Sequence, residues 1–279
     1  MRSGKIVSVI IPALNEEASL PGVLRRVPPW VDLVIVVDNG SVDGTRQVAS
    51  SCGARVVTEP NRGYGHACMA GICAALEDDV ASDVVVFLDA DGSDHPEQME
   101  RLVAPIIGGH ADLVIGSRTR GSLERGAMSL PQRLGNFLAP LLIRLLWGQR
   151  FTDLGPFRAI RSASLQELHM DAPTYGWTVQ MQIRASRLGL RCMEVPVDYA
   201  RRKGGRSKIS GTVRGVLGAG AGILLCVGSE FWLTHSPKIV AGLSRRTRKD
   251  SAQPQRSEYI PVSCERRDKL CQHGRDLGA

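Results

Sequence analysis

Two aspartates two positions apart, Asp89 and Asp91, stand at the end of the apolar run Val84-Val85-Val86-Phe87-Leu88. A continuous apolar run of that length, closed by turn formers, suits a strand buried on both faces of a parallel sheet. Acids just beyond the carboxyl end of such a strand fall where open α/β sheets bind their ligands. At this spacing they can aim oxygens at one hard divalent cation, Mg2+ or Mn2+. Such an ion takes one or two carboxylates and fills its shell with substrate phosphate oxygens. The six residues Asp-Ala-Asp-Gly-Ser-Asp (89–94) also suit a polar turn with capping acids, so the motif has to be weighed with the elements around it.

Those elements alternate. Residues 6–11, 33–37, 55–57, 84–88 and 112–116 read as strands, being short, apolar and rich in β-branched side chains. Between them, 18–26, 45–52, the small-residue stretch 67–75 and 97–107 read as helices. Alternation of this kind means crossover units and a parallel, twisted sheet with helices on both faces. The loops at Asn15-Glu16, Asp38-Asn39 and Asp89-Asp91 then converge on one sheet edge.

The second half is less regular. Leu134, Phe137, Leu138, Leu141, Leu142, Leu145 and Leu146 recur at helical spacing, which fits either a core helix or an apolar flank that meets a lipid tail or bilayer. Residues 151–160 read as a turn entering a strand, and 193–197 as a late strand. The run 201–208 packs five cations around two glycines. Residues 215–229 are apolar but Gly-rich, shorter than the roughly 20 residues a spanning helix needs. Beyond 236 the chain is basic, polar and aperiodic, and reads as a disordered tail.

Composition sets the outer bounds. The chain has 279 residues, 43% hydrophobic and 23% charged, which describes a globular protein. Its seven cysteines are scattered without a CxxC pair, arguing for a reducing compartment and against a disulfide scaffold or structural zinc. A formal charge of +7, of which residues 244–279 supply +4, favours phosphate-rich partners without choosing among them. A nucleic-acid binder is disfavoured by the absence of zinc spacing and by only 5% aromatic residues for base stacking. A dinucleotide oxidoreductase is disfavoured because no GxGxxG follows the first strand.

Taken in order, Ile-Ile-Pro-Ala-Leu-Asn-Glu-Glu (10–17), Val-Asp-Asn-Gly-Ser-Val-Asp-Gly-Thr (37–45), Asp-Ala-Asp-Gly-Ser (89–93) and Gly-Ser-Arg (116–118) resemble inverting family 2 glycosyltransferases of the GT-A fold. Gly-Pro-Phe-Arg-Ala-Ile-Arg (155–161) and Arg-Arg-Lys-Gly-Gly-Arg-Ser-Lys (201–208) narrow the resemblance to the dolichyl- or polyprenyl-phosphate sugar synthases. It implies a Rossmann-like, mostly parallel sheet in a catalytic domain over 1–215, with a nucleotide-binding half over 1–117 and an acceptor half over 118–215. An interfacial helix over 216–235 and a basic tail over 236–279 would follow.

The resemblance also implies roles. Pro12, Ala13 and Glu16 would line the nucleotide pocket, with Asp38 and Asn39 at the base. Asp89 and Asp91 would meet a divalent cation and the donor diphosphate. Arg118 and Arg133 would lie near the transferring phosphates, and Arg202, Ser207 and Lys208 would close over them. Asn39 stands where the family commonly has a second Asp, and Ser93 where some members have a Gln metal ligand.

The expected reaction moves a sugar from a nucleotide-sugar donor to polyprenyl phosphate at the cytoplasmic face of a membrane, with the protein bound peripherally. A phosphate monoester has a second pKa near 6 and arrives as its own nucleophile. It calls for cations more than for a base, which the second-half arginines (Arg158 among them) would supply. A soluble hydroxyl acceptor would instead need a base, for which Asp153 is the candidate. Otherwise Asp153 would orient a neighbouring arginine.

Overall fold

The computed structural model describes residues 3–77, 81–202, 204 and 213–236. Its framework is one seven-stranded sheet. The strands are β1 (Val7–Ala13), β2 (Leu33–Asp38), β3 (Arg55–Thr58), β4 (Val84–Phe87), β5 (Leu113–Ser117), β6 (Arg158–Arg161) and β7 (Cys192–Pro196). Their order is β3-β2-β1-β4-β6-β5-β7, and only β6 runs against its neighbours. The mostly parallel sheet is the expected one, and it takes strands from both halves of the chain.

Each parallel strand is joined to the next by a helix: α1 (Leu20–Leu24), α2 (Thr45–Ser51), α3 (Tyr64–Leu76) and α4 (Met99–Ile107). Both sheet faces are therefore covered, and β4 is buried throughout. Val85 and Phe87 join one hydrophobic core while Val84, Val86 and Leu88 join the other, which is why the run shows no polar alternation. The small residues of α3 let it approach the sheet closely. A Cβ on Gly71 would lie 2.4 Å from the Ile10 side chain.

Register fixes the working edge. Ala13 pairs with Asp38, and Ile10 with Phe87, so the chain leaves β1, β2 and β4 side by side. The late helices are α5 (Leu130–Trp147), α6 (Ser162–Glu167), α7 (Trp177–Arg187) and α8 (Val213–His235). A capping box between Ser129 and Gln132 starts α5. Its leucine stripe is divided: Leu142 and Leu146 pack against the core beside buried Ala139 and Ile143, while Leu134, Phe137, Leu138, Leu141 and Leu145 remain exposed. α8 is tied down by Glu230, 1% exposed, whose carboxylate accepts from Arg184 (2.7 Å) and Arg187 (2.8 Å) of α7. Cys52, Cys68, Cys192 and Cys226 are free thiols, whereas Cys73 is disulfide-bonded, so the expectation of thiols throughout holds at four described positions.

Candidate active site

Asp91 turns immediately after β4. Its Oδ1 accepts from the Ser93 backbone N–H (2.9 Å) and hydroxyl (2.5 Å), a local turn that leaves Oδ2 outward with the side chain 17% exposed. Ser93 is itself buried and spends its hydroxyl on Asp91. It is thus an internal cap and not a third metal ligand.

A third acid joins the pair from the same run. Asp94 is 1% exposed; its Oδ2 accepts from the Asp89 backbone N–H at 3.3 Å, while its buried Oδ1 has no hydrogen-bond partner among the described residues. Burial and the nearby Asp91 charge push the Asp94 carboxyl up to about 7. Burial, then Asp91 and Asp94, likewise raise Asp89 well above the usual carboxylate range, although a hydrogen bond with Tyr64 works the other way. The mutual repulsion of Asp89, Asp91 and Asp94 leaves negative charge under-compensated at the end of β4, which is compatible with a divalent cation there. Among the described residues no group of three or more His, Cys, Asp or Glu side chains is arranged to hold a metal alone. Two carboxylates completed by diphosphate oxygens remain compatible with that finding.

On the nucleotide side, Pro12 is half-buried, and Ala13 and Glu16 are buried. Arg202 reaches across the edge and ties the loops together. It donates to Glu16 Oε1, to Asp91 Oδ2 at 3.5 Å and, through Nε, to the Gly204 carbonyl at 2.7 Å. A cavity of about 480 Å3 lies beside this bridge, lined by Asn15, Glu16, Ser19, Asp43 and Gly204. Asp38 is fully buried: Oδ1 accepts from the Ser41 N–H (3.1 Å) and Oδ2 from Arg46 (2.6 Å).

Asn39 departs from the expected base contact. Its amide donates to the carbonyls of Glu59 (3.0 Å) and Asn61 (2.7 Å), and its oxygen accepts from the Gly63 N–H (2.8 Å). An amide with both donors and its oxygen engaged is a staple between loops, and this explains why Asn replaces Asp. An aspartate there would have no protons to offer two carbonyls. Gly63 follows with φ +149°, a backbone that side-chain-bearing residues rarely adopt.

Arg118 and Asp153 dominate the other side. Arg118 Nε and Nη2 fork onto Asp153 at 3.0 and 2.6 Å, and the Arg118 backbone N–H donates to the same carboxylate at 2.6 Å. Burial opposes the guanidinium charge, but the Asp153 carboxylate outweighs it and holds the proton more tightly than usual. The Tyr199 ring lies 4.9 Å from the Arg118 guanidinium carbon. Asp153 is 0% exposed with both oxygens engaged. Of the two roles expected of Asp153, the arrangement fits the orienting of an arginine, here Arg118, and not the base, since it presents no oxygen to an acceptor.

A cavity of about 520 Å3 opens beside this pair. Arg118, Arg133 and Arg144 line it together with Met128, Phe137 and Leu141, and none of its lining residues is an acid or a histidine. Arg158, grouped above with the phosphate-binding cations, is instead fully buried. It donates to the carbonyls of Leu154, Gly155 and Thr178, and burial lowers its pKa to about 10. Ser207 and Lys208 lie outside the described residues. Sequence reasoning missed Asn136, Tyr64 and Tyr199, and left Asp94 without a role. Only Asp94 carried a signal, its place in the acidic run.

A mostly parallel sheet whose central strand runs into an acidic turn is the framework expected of the GT-A fold. The signature described as Glycosyl transferase family 2 matches residues 8–169. The chain is 37% identical over 225 residues to the undecaprenyl-phosphate mannosyltransferase of Micrococcus luteus, covering 75% of this chain and 89% of that protein. It is 34% identical to the polyprenol monophosphomannose synthase of Mycolicibacterium smegmatis, covering 73% and 81%. Among solved structures, glucosyl-3-phosphoglycerate synthase from Mycobacterium tuberculosis, in complex with Mn2+, uridine diphosphate and phosphoglyceric acid, superposes with a TM-score of 0.66. That match has 28% identity and covers 82% of this chain and 79% of that one. This chain belongs to glycosyl transferase family 2 and is a glycosyltransferase.

Proposed function

We propose that this enzyme transfers a sugar, with inversion, from a nucleotide-sugar donor to a polyprenyl phosphate. The observation that carries the reading is the composition of the cavity beside Arg118: arginines and apolar side chains with Thr119, Asn136 and Thr152, and no acid or histidine among its described lining residues. A hydroxyl nucleophile needs a base there, whereas a phosphate dianion needs cations and its hydrocarbon tail needs an apolar exit. The relatives named for undecaprenyl phosphate and polyprenol support the same acceptor class.

The donor lies across the ends of β1, β2 and β4, with Pro12, Ala13, Glu16 and Asp38 around the nucleotide and its diphosphate toward Asp89 and Asp91. Those two carboxylates would hold a divalent cation, and the Mn2+ in the synthase complex supports that ion class. When bound, such an ion neutralises charge on the departing diphosphate. Arg202 would exchange its bonds to Glu16 and Asp91 for diphosphate oxygens. Arg118 and Arg133 orient the acceptor phosphate for attack on the sugar face opposite the leaving group. Ser207 and Lys208 would contribute from the 201–208 run.

The enzyme works from a membrane surface. Among the described residues no helix is long and apolar enough to cross a membrane. Exposed Leu134, Phe137 and Leu145 on α5 and Leu224, Leu225 and Trp232 on α8 suit contact with lipid. Residues 125–152 carry four arginines and no acid, which favours an anionic leaflet.

A second reading, a soluble phosphorylated acceptor, is favoured by the phosphoglyceric acid bound in the synthase of similar fold. One assay decides between them. The purified enzyme is given UDP-, GDP- or dTDP-sugars with Mn2+ or Mg2+, against undecaprenyl phosphate or phosphoglyceric acid. Label should enter the lipid and cease with EDTA or Asp91→Ala. Label entering only phosphoglyceric acid would overturn the lipid assignment.

A further inference from the structure

The segment 152–154 has no regular secondary structure, yet it is pinned by side chains from three elements. Glu194 of β7 accepts from the backbone N–H of Thr152 (2.8 Å) and of Asp153 (3.2 Å), and from the Thr152 hydroxyl (2.9 Å). Gln182 of α7 donates to the Asp153 carbonyl at 2.9 Å. Asn136 of α5 accepts from the Leu154 N–H at 2.8 Å and donates to the Thr152 carbonyl at 3.4 Å. Buried irregular backbone must find partners, but satisfaction alone does not require three separate elements to converge on the short segment that carries the carboxylate orienting Arg118.

Asn136 stands apart from the other two. Its Oδ1 also accepts from Arg118 Nη2 at 3.4 Å, and it lines the 520 Å3 cavity with Arg118. It is 8% exposed on a helix whose neighbouring positions are exposed leucines and Phe137. Asp153 and Asn136 together occupy Nε and Nη2 of the guanidinium. Among the described residues Nη1 makes no hydrogen bond.

We infer that Asn136 is a positioning residue for the transfer. From the apolar helix it fixes both the Asp153 segment and the direction of Arg118, so that Nη1 is the donor left for the acceptor phosphate. The inference rests on the phosphate-acceptor reading above. It makes α5 a single element that offers leucines to the hydrocarbon and aims the cation at the head group.

The test is a double-mutant cycle on the full chain with undecaprenyl phosphate, combining Asn136→Ala with Arg118→Ala. Asn136→Ala is expected to lower kcat/KM for the lipid phosphate about tenfold, a typical result of misaiming a positioning group. The donor KM and the thermal shift given by UDP or GDP with Mn2+ should not move. In the Arg118→Ala background the same change should have no further effect, because Asn136 acts through Arg118. Asn136→Asp keeps the two acceptor contacts, loses the donor to the Thr152 carbonyl and places a second carboxylate on the guanidinium. It should raise the KM for the anionic acceptor with the donor KM unmoved. Additive losses in the cycle, or a wild-type acceptor KM in both single variants, would overturn the inference. A wild-type enzyme that transfers nothing to lipid phosphate would instead remove the acceptor reading beneath it.

Discussion

Asp153 and Arg118, 35 residues apart in sequence, form a buried forked ion pair that closes through the Arg118 backbone N–H as well as its guanidinium. The carboxylate that might have served as a base is thereby used to aim a cation. An enzyme whose acceptor brings its own negative charge can use such a pair directly.

Replacing Asp153 with Asn leaves the guanidinium buried without its counter-charge. Breaking one side of a buried pair costs about 3–5 kcal/mol, so urea unfolding of Asp153→Asn should show a loss of that order along with lost transfer. An apolar double variant, Arg118→Met with Asp153→Leu, should regain much of the stability and none of the activity.

Asn39→Asp restores the residue type common in the family and should nonetheless harm this protein. The two carbonyls that receive Asn39 amide protons, of Glu59 and Asn61, would face an acceptor-only side chain. About 1–3 kcal/mol is expected for leaving buried polar groups unmatched. Chemical unfolding measures it, and Asn39→Asp as stable as the wild type would contradict the staple.

Glu230→Ala would leave Arg184 and Arg187 without the carboxylate that both share. Amides of α8 should then exchange with deuterium faster while those of β1 and β4 keep their protection. Equal protection of α8 in both proteins would show that apolar packing alone holds it.

Acid stability should report on Asp112. Hydrogen bonds from Arg191, opposed by burial and reinforced by Arg161, hold its carboxyl below the ordinary value of 3.8. A depressed folded pKa contributes stability that is present above the unfolded value and lost as pH falls through the folded one. Asp112→Asn should therefore flatten the stability profile below about pH 4 and leave its slope near neutrality alone. Because Arg191 is exposed, added salt should shrink the effect.

Much of the fold was legible in local pattern. Val84–Phe87 announces a doubly buried strand by its composition, and the alternation before it dictates parallel crossovers. The acidic tip was legible because it is local: Asp89 and Asp91 sit two residues apart just beyond one strand. Asn39 and Arg158 were not legible, because each spends its hydrogen bonds on groups that the sequence does not place beside it, and for Asp153 the sequence offered an arginine to orient without saying which. The leucines of α5 show the same limit, since helical spacing reveals an apolar stripe and not what lies against it.

The sequence by itself determined the strands, the acidic tip and the family, because apolar period and turn chemistry are properties of neighbouring residues. The tertiary structure decided that β6 enters the sheet antiparallel between β4 and β5. It decided equally that Asp153 is buried against Arg118 and that no acid is among the described residues lining the cavity beside that pair. Those outcomes depend on which distant groups share a small volume, and desolvation and charge pairing within it set what each side chain can do.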